Sequence, residues 1–297
     1  MSTEFSKFQD DIVFWGPPAS GKSWLINAFA KELQNYEGDP NFYYELKDSV
    51  TDVPIFPSPE PIAGTSKISD SVWEFSRKAK KHSFSHEVSS HIHRIRIRDD
   101  RGYSTFTLDN MLTKATFREF DSVFLLLDPT SVGNTNEESD IKISPSLYAE
   151  KIRNLFETMN LSSGSQRFIA VCITKIDQLG ARQRDPWEII NIYFGNDLYK
   201  ILNQYRSFTN LSIQTFSTSA FGFLPTVKRE PNYDPSTGTL RSPDLWEPYN
   251  VASPFFWIFE NIERRRIMKF AYDSFLQKLL FRNDRLKNYI PYPVKRK

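Results

Sequence analysis

The sequence predicts an α/β fold: a mostly parallel sheet of six strands with one antiparallel edge strand, and helices on both faces. Three observations predict it. Short, almost continuous apolar runs recur at Asp11 to Trp15, Ser122 to Asp128 and Arg167 to Lys175, the pattern of strands buried on both faces. Helical segments lie between such runs, and that alternation places helices on both sides of a sheet. A pair of alternating segments, Ser71 to Ala79 and Ser89 to Arg98, reads as an antiparallel hairpin that adds the edge.

The first strand, Asp11 to Trp15, runs directly into Gly16 to Ser23, and Trp24 to Gln34 follows as a helix. The junction fits G-x-x-x-x-G-K-[ST], the phosphate-binding loop, and narrows the fold class to a P-loop NTPase. Successive backbone N–H groups that end at a helix N-terminus supply fixed positive dipoles for polyphosphate. Gly16 lets the chain leave the strand and Gly21 lets the backbone approach the phosphates. Lys22 can reach the β and γ oxygens, and the Ser23 hydroxyl can ligate Mg²⁺. The nucleotide contacts expected here are Gly16, Pro17, Pro18, Ala19, Ser20, Gly21, Lys22, Ser23 and Trp24.

After that helix, Asp39 to Gly64 contains Pro40, Pro54, Pro57, Pro59 and Pro61, and it reads as a long irregular loop. The hairpin follows. Its neighbourhood holds His82, His86, His91 and His93. No cysteine or close carboxylate cluster completes a metal site there, so half-buried strand residues are expected. Leu108 to Phe120 is expected to be helical, then Ser122 to Asp128 forms a strand. Pro145 to Met159 reads as a helix with Leu147, Ile152, Leu155, Phe156 and Met159 on its apolar face. Arg167 to Lys175 is the next strand, Trp187 to Phe208 the next helix, and Leu211 to Ser217 the last strand. Gly222 to Asn250 is rich in Pro, Gly, Asn and Ser and is expected to be an exposed loop. Pro254 to Leu280 has apolar residues at helical spacing. The whole is expected to be a single domain, 1–297, with insertions near 36–64 and 222–250 and a basic, solvated tail at 282–297.

Composition narrows the partners. Lysine and arginine nearly balance the acids, for a net charge of +2, so there is no clear nucleic-acid signal. The one cysteine, Cys172, lies in an apolar run and has no internal disulfide partner. A reducing, cytoplasmic location is expected. No apolar run approaches a membrane span, and Met1 to Asp10 has no leader pattern.

Two further runs address the base. Thr174 to Asp177 closes a buried strand and matches [NT]-K-x-D. A carboxylate at Asp177 can accept both the N1–H and the N2–H of guanine, a pair that adenine lacks. The aliphatic stem of Lys175 can cover the flat face of the base. The next strand ends in Ser217 to Gly222, where Ser219 and Ala220 fit a loop whose backbone N–H meets the guanine O6. Both runs end predicted strands, where open α/β sheets bind ligands.

On these motifs the chain resembles the Ras-like branch of translation-factor-related GTPases, over roughly Asp11 to Ala220 and the final helix. The stretches Gly64 to Ser66, Trp73 to Arg77, Phe124 to Thr130 and Tyr249 to Trp257 are similar to the bacterial double-GTPase families. The resemblance implies bound GTP or GDP with Mg²⁺. It makes Asp99 to Gly102 the D-x-x-G run, with Asp99 holding Mg²⁺ through water and the Gly102 N–H facing the γ-phosphate. It makes Thr65 the switch threonine on Mg²⁺, with Thr51 and Ser66 as alternatives. Lys22, Thr65 and Gly102 would carry the chemistry, and Ser23, Thr65 and Asp99 the metal.

Departures from the family pattern shape the expected activity. Tyr103 stands where many members place a water-orienting Gln, Pro17 and Pro18 stiffen the phosphate loop, and Phe221 replaces a common Lys. Slow hydrolysis is expected, with a protein effector or activating partner completing the site. Pairing of two G domains in a homodimer remains open. Two alternatives stand beside the switch. One is a P-loop ATPase or kinase with Asp128, at the end of an apolar strand, as the Walker B acid. The other is a nucleotide-binding scaffold that does not hydrolyse.

Overall fold

The computed structural model describes residues 9–34, 42–49, 69–79, 91–99, 120, 122–133, 142–159, 166–179, 185–226, 230–262, 264–265 and 268. The chain divides into two compact units, Met1–Phe255 and Phe256–Lys297. In the first, a seven-stranded sheet has the order β2-β3-β4-β1-β5-β6-β7. The strands are β1 Gln9–Trp15, β2 Phe42–Ser49, β3 Ser69–Ala79, β4 His91–Asp99, β5 Ser122–Leu127, β6 Arg167–Ile173 and β7 Leu211–Ser217. The run β4-β1-β5-β6-β7 is parallel throughout.

The hairpin forms as expected, with β3 antiparallel to β4 from Ser69↔Asp99 to Arg77↔His91. The expected count of six strands and the place of the antiparallel strand need correction. The sheet has seven strands, and β3 is not its edge, because β2 pairs antiparallel outside it. The additional strand lies inside the stretch read as irregular. Its sequence, FYYELKDS, has no clean alternation, and the nearby prolines dominate the local pattern.

Every residue of β5 and β6 is buried, as their continuous apolar runs require. In β7 burial alternates along the strand, the mark of an edge strand with one open face. Side chains of successive strand residues point to opposite faces. Val13, Trp15, Val123, Leu125, Ile169 and Val171 therefore pack with the α2 and α4 side of the core, where α2 is Pro145–Thr158 and α4 is Gly195–Arg206. The opposite face carries Phe14 and Phe124, stacked at 4.6 Å. Phe29 of α1 (Lys22–Gln34) stacks on Phe255 at 3.9 Å, and Phe255 lies 4.5 Å from Phe124. Helices therefore cover both faces.

Local chemistry sets the helix ends and faces. Ser144 caps α2 by accepting from the Leu147 N–H at 3.2 Å, with Pro145 in the first turn. The face that α2 buries is Tyr148, Ile152, Leu155 and Met159, and the predicted Leu147 is 36% exposed. Spacings of four, three and four keep the buried set on one stripe, and Leu147 sits about 100° away from it. The predicted helix over Trp187 to Phe208 is interrupted: α3, Pro186–Ile189, passes through a π turn at Ile190–Phe194 into α4. Gly195 has φ 79° at that junction, a conformation open chiefly to glycine.

The segment expected to be an exposed loop at 222–250 is also structured. Tyr233–Asp234 (β8) and Thr239–Leu240 (β9) form a two-stranded ribbon, with Asn232 and Trp246 buried beside it. The final predicted helix is present over 252–262. Its first N–H groups, of Val251 and Ala252, each donate at 2.9 Å to the Glu32 carboxylate of α1. Burial raises the pKa of Glu32, and these two hydrogen bonds oppose the rise. The predicted helix over Leu108 to Phe120 lies outside the described residues except for Phe120, and the tail at 282–297 lies wholly outside them. Among the described residues no helix is long and apolar enough to cross a membrane.

Candidate functional site

Because β4, β1, β5, β6 and β7 run parallel, their C-terminal ends share one edge of the sheet. That edge carries Asp99, Gly16 to Ser23, Asp128, Thr174 to Asp177 and Ser219 to Gly222. The fold therefore gathers most of the residues singled out by sequence at the edge where such sheets hold ligands. Thr65 and Gly102 lie outside the described residues, as do Thr51, Ser66, Arg101 and Tyr103.

The loop after β1 turns through Ala19 at φ 57° and Gly21 at φ 90°. Lys22 folds back over it, and its Nζ donates to the carbonyls of Gly16 at 3.2 Å and Pro17 at 3.0 Å. Gly16 is required for space. A Cβ there would lie 2.8 Å from Ser20 Oγ and 3.0 Å from Leu126 Cβ, so a side chain would push the loop off β5. Ser20 is fully buried, and Ser23 and Trp24 are half-buried in the first turn of α1.

The Thr174 to Asp177 run is tied to this loop. Thr174 Oγ1 donates to the Ser20 carbonyl at 3.0 Å, with a longer contact to Leu127 O at 3.3 Å. Lys175 sits at φ 56°, and its Nζ pairs with Asp128 Oδ2 at 2.7 Å. Asp177 is buried to 1% exposure. Its Oδ1 accepts from Ser219 Oγ at 2.6 Å, and Ser219 Oγ in turn accepts from the Gly222 N–H at 2.8 Å. Its Oδ2 is buried with no hydrogen-bond partner among the described residues. Burial pushes the Asp177 carboxyl up to about 6, against the opposing effects of the Ser219 hydrogen bond and the Lys175 charge.

A buried carboxylate oxygen without a donor is costly unless a ligand supplies one. Guanine has the N–H groups that fit it. The residues present thus fit a guanine nucleotide at the point where the base would lie. For Mg²⁺, Ser23 in the first turn of α1 offers a hydroxyl, and Asp99 is the last residue of β4, the strand beside β1. These are hard oxygen donors suited to that ion.

Sequence reasoning missed two features. The insertion after β7 is built onto the Ser219 to Gly222 loop. Ser219 and Tyr249 exchange backbone hydrogen bonds at 3.0 and 2.8 Å, and Trp246 Nε1 donates to the Ala220 carbonyl at 2.8 Å. Rings run from Trp24 to Phe221 at 4.6 Å and on to Tyr233 at 4.8 Å. Burial, then the neighbouring Asp177 carboxylate, raises the Tyr233 phenol. The aromatic richness of 221–249 was a visible signal, but its contacts are not local in sequence.

The second feature is the pairing of Asp128 with Lys175. Asp128 Oδ1 accepts from the Thr130 N–H at 2.9 Å and the Thr130 hydroxyl at 2.6 Å, and its Oδ2 holds Lys175. Both oxygens of the Walker B candidate are therefore already engaged, one of them by Lys175 of the Thr174 to Asp177 run.

Fold and site define an α/β protein with a phosphate-loop geometry at its first strand–helix junction. No protein-family model matches the chain, and no curated protein does. Among solved structures it is similar to the signal recognition particle receptor in the SRb-GTP/SRX complex from Chaetomium thermophilum. The TM-score is 0.43 at 14% identity, over 74% of this chain and 94% of that one. It is also similar to a nucleolar GTP-binding protein 1 from Plasmodium falciparum, with a TM-score of 0.43 at 12% identity, over 93% of this chain and 97% of that one. At that degree of superposition, what this chain binds has to be read from its own residues.

Proposed function

We propose that the chain binds GTP and GDP with Mg²⁺, hydrolyses GTP slowly and acts as a nucleotide-controlled switch. One observation carries the base assignment: Asp177 is buried, oriented by Ser219, and keeps Oδ2 unpartnered among the described residues. Guanine N1–H and N2–H would satisfy it, whereas adenine presents a ring acceptor at the corresponding position. The loop from Gly16 to Ser23 and Lys22 would hold the phosphates. Ser23, Thr65 and Asp99 would hold Mg²⁺, which when bound neutralises charge on the β and γ oxygens. Lys22, Thr65 and Gly102 would act on the γ-phosphate, and loss of that phosphate would release Thr65 and Gly102.

Tyr103 at the water-orienting position supports slow turnover, with a protein partner completing the site. A self-paired G domain is another way to complete it. The single buried thiol of Cys172 fits a cytoplasmic setting. The ATPase alternative asks Asp128 to hold metal, and the engagement of both its oxygens weighs against that.

Competition between fluorescent GTP and ATP analogues for the purified protein with Mg²⁺ tests the proposal. Strong guanine preference is expected; preference for adenine would overturn the base assignment. Single-turnover measurements then separate a slow GTPase from a scaffold. Intrinsic hydrolysis well below the 1–100 s⁻¹ typical of kinases is expected, and no turnover with any partner would favour the scaffold.

A further inference from the structure

We propose that Asp128 is a positioning residue of the base site. It clamps the Lys175 ammonium so that the lysine's aliphatic stem, rather than its charge, lines the base. This deepens the guanine-nucleotide reading above and rests on it.

The sheet order carries the inference. β5 lies between β1, which leads into the phosphate loop, and β6, which ends in Thr174 to Asp177. To reach Asp128 Oδ2 at 2.7 Å, the Lys175 side chain must run from the end of β6 to the end of β5, the strand beside β1. Its four-carbon stem then lies along the sheet edge between Asp177 and the loop, the span that a nucleotide with its phosphates at Lys22 and its base at Asp177 would cover.

The carboxylate is itself immobilised. Thr130 takes Oδ1 through both its N–H and its hydroxyl, which leaves Oδ2 aimed at Lys175. Side-chain exposure is 2% for Asp128 and 22% for Lys175, so the acid is shielded while part of the lysine side chain stays open to a ligand. Lys175 also holds a left-handed backbone, φ 56°, a conformation that persists in a non-glycine residue only where its surroundings fix it. Thr174, bound to Ser20 O, and the Asp128 pair fix it from both sides. An ammonium so neutralised contributes little charge to the phosphates.

The test is a cycle of D128N, K175M and the double variant, read by GDP affinity with Mg²⁺, inorganic pyrophosphate competition and thermal melting. D128N keeps the Thr130 hydrogen bonds, and loss of the charged bond should weaken GDP about tenfold or more. Pyrophosphate competition should be unchanged, because it uses the loop and not the stem. K175M keeps a stem of similar length but strands a buried carboxylate, so it should weaken GDP and lower the melting temperature. The double variant removes both charges, and GDP affinity should return to within about threefold of wild type.

D128N binding GDP as wild type does would overturn the clamp. So would a double variant as weak as K175M, since the ammonium would then be contacting the nucleotide directly. Equal weakening of GDP and pyrophosphate by D128N would make the residue merely structural. A wild-type protein that prefers ADP to GDP in the same assay would overturn the guanine reading itself, and this assignment with it.

Discussion

On the proposed guanine reading, Asp177 is the residue on which nucleotide choice turns, and its burial would make that choice dependent on pH. In the free protein its carboxyl is pushed up to about 6. On that reading the guanine N1–H and N2–H pair best with the ionised form, so tight binding should drive the proton off. Affinity for GDP should be flat above about pH 7 and fall roughly tenfold per pH unit below about 6. Titrating Kd from pH 8 to pH 5 checks this, with Asp177→Asn as the control, because its profile should lose that inflection. The same substitution should cost about 2–3 kcal/mol of guanine affinity at neutral pH, as a charged hydrogen-bond pair is lost. Ser219 gives a second handle. Its hydroxyl donates to Asp177 and accepts from the Gly222 N–H, so Ser219→Ala leaves two buried groups unsatisfied. About 1–3 kcal/mol of stability should go with it in chemical denaturation, together with weaker GDP binding.

At the scale of elements, stability should concentrate where strands and helices share rings. Phe255 stacks on Phe29 of α1 and lies 4.5 Å from Phe124 of β5, so one side chain joins a helix, a strand and the end of the first unit. Phe255→Ala should cost about 3–5 kcal/mol by denaturant unfolding, from lost transfer energy and the cavity left behind. A loss below about 1 kcal/mol would show that the stack contributes little. This cluster was not legible in sequence, although its strands were. Phe14 and Phe124 lie in runs whose continuity marks buried strands, and the phosphate loop is a contiguous motif, so both could be read locally. The strand β2 could not, because a patternless FYYELKDS next to prolines carries no period. Nor could the Asp128–Lys175 pair, since only the adjacency of β5 and β6 brings residues 47 apart in the chain together. The buried face of α2 was misjudged by one residue, Leu147 for Tyr148, because both are apolar neighbours and only packing distinguishes them.

For the whole molecule, the same carboxyl should couple folding to nucleotide if the guanine reading holds. In the free protein Asp177 binds its proton more tightly folded than unfolded, with the pKa raised from 3.8 to about 6. Its contribution to stability is therefore fully present below pH 3.8 and is lost as pH rises through about 6. A carboxyl moved from 3.8 to about 6 carries about 3 kcal/mol, taking about 1.36 kcal/mol for each tenfold change in proton affinity. Between pH 5 and pH 7 the nucleotide-free protein should thus lose stability relative to Asp177→Asn, which has no such proton. Bound GDP would supply the missing donors at neutral pH and should stabilise by mass action, about 2.7 kcal/mol at a hundredfold excess over Kd. Since GDP should also bind more tightly at pH 7 than at pH 5, the melting shift that it produces should grow as pH rises, while the free protein's own melting temperature falls relative to the variant. Thermal melts of both proteins at pH 5, 6 and 7, with and without GDP and Mg²⁺, measure both trends. A GDP-induced shift that is the same at all three pH values would separate Asp177 from the nucleotide. It would move the recognition of the base to another part of the sheet edge.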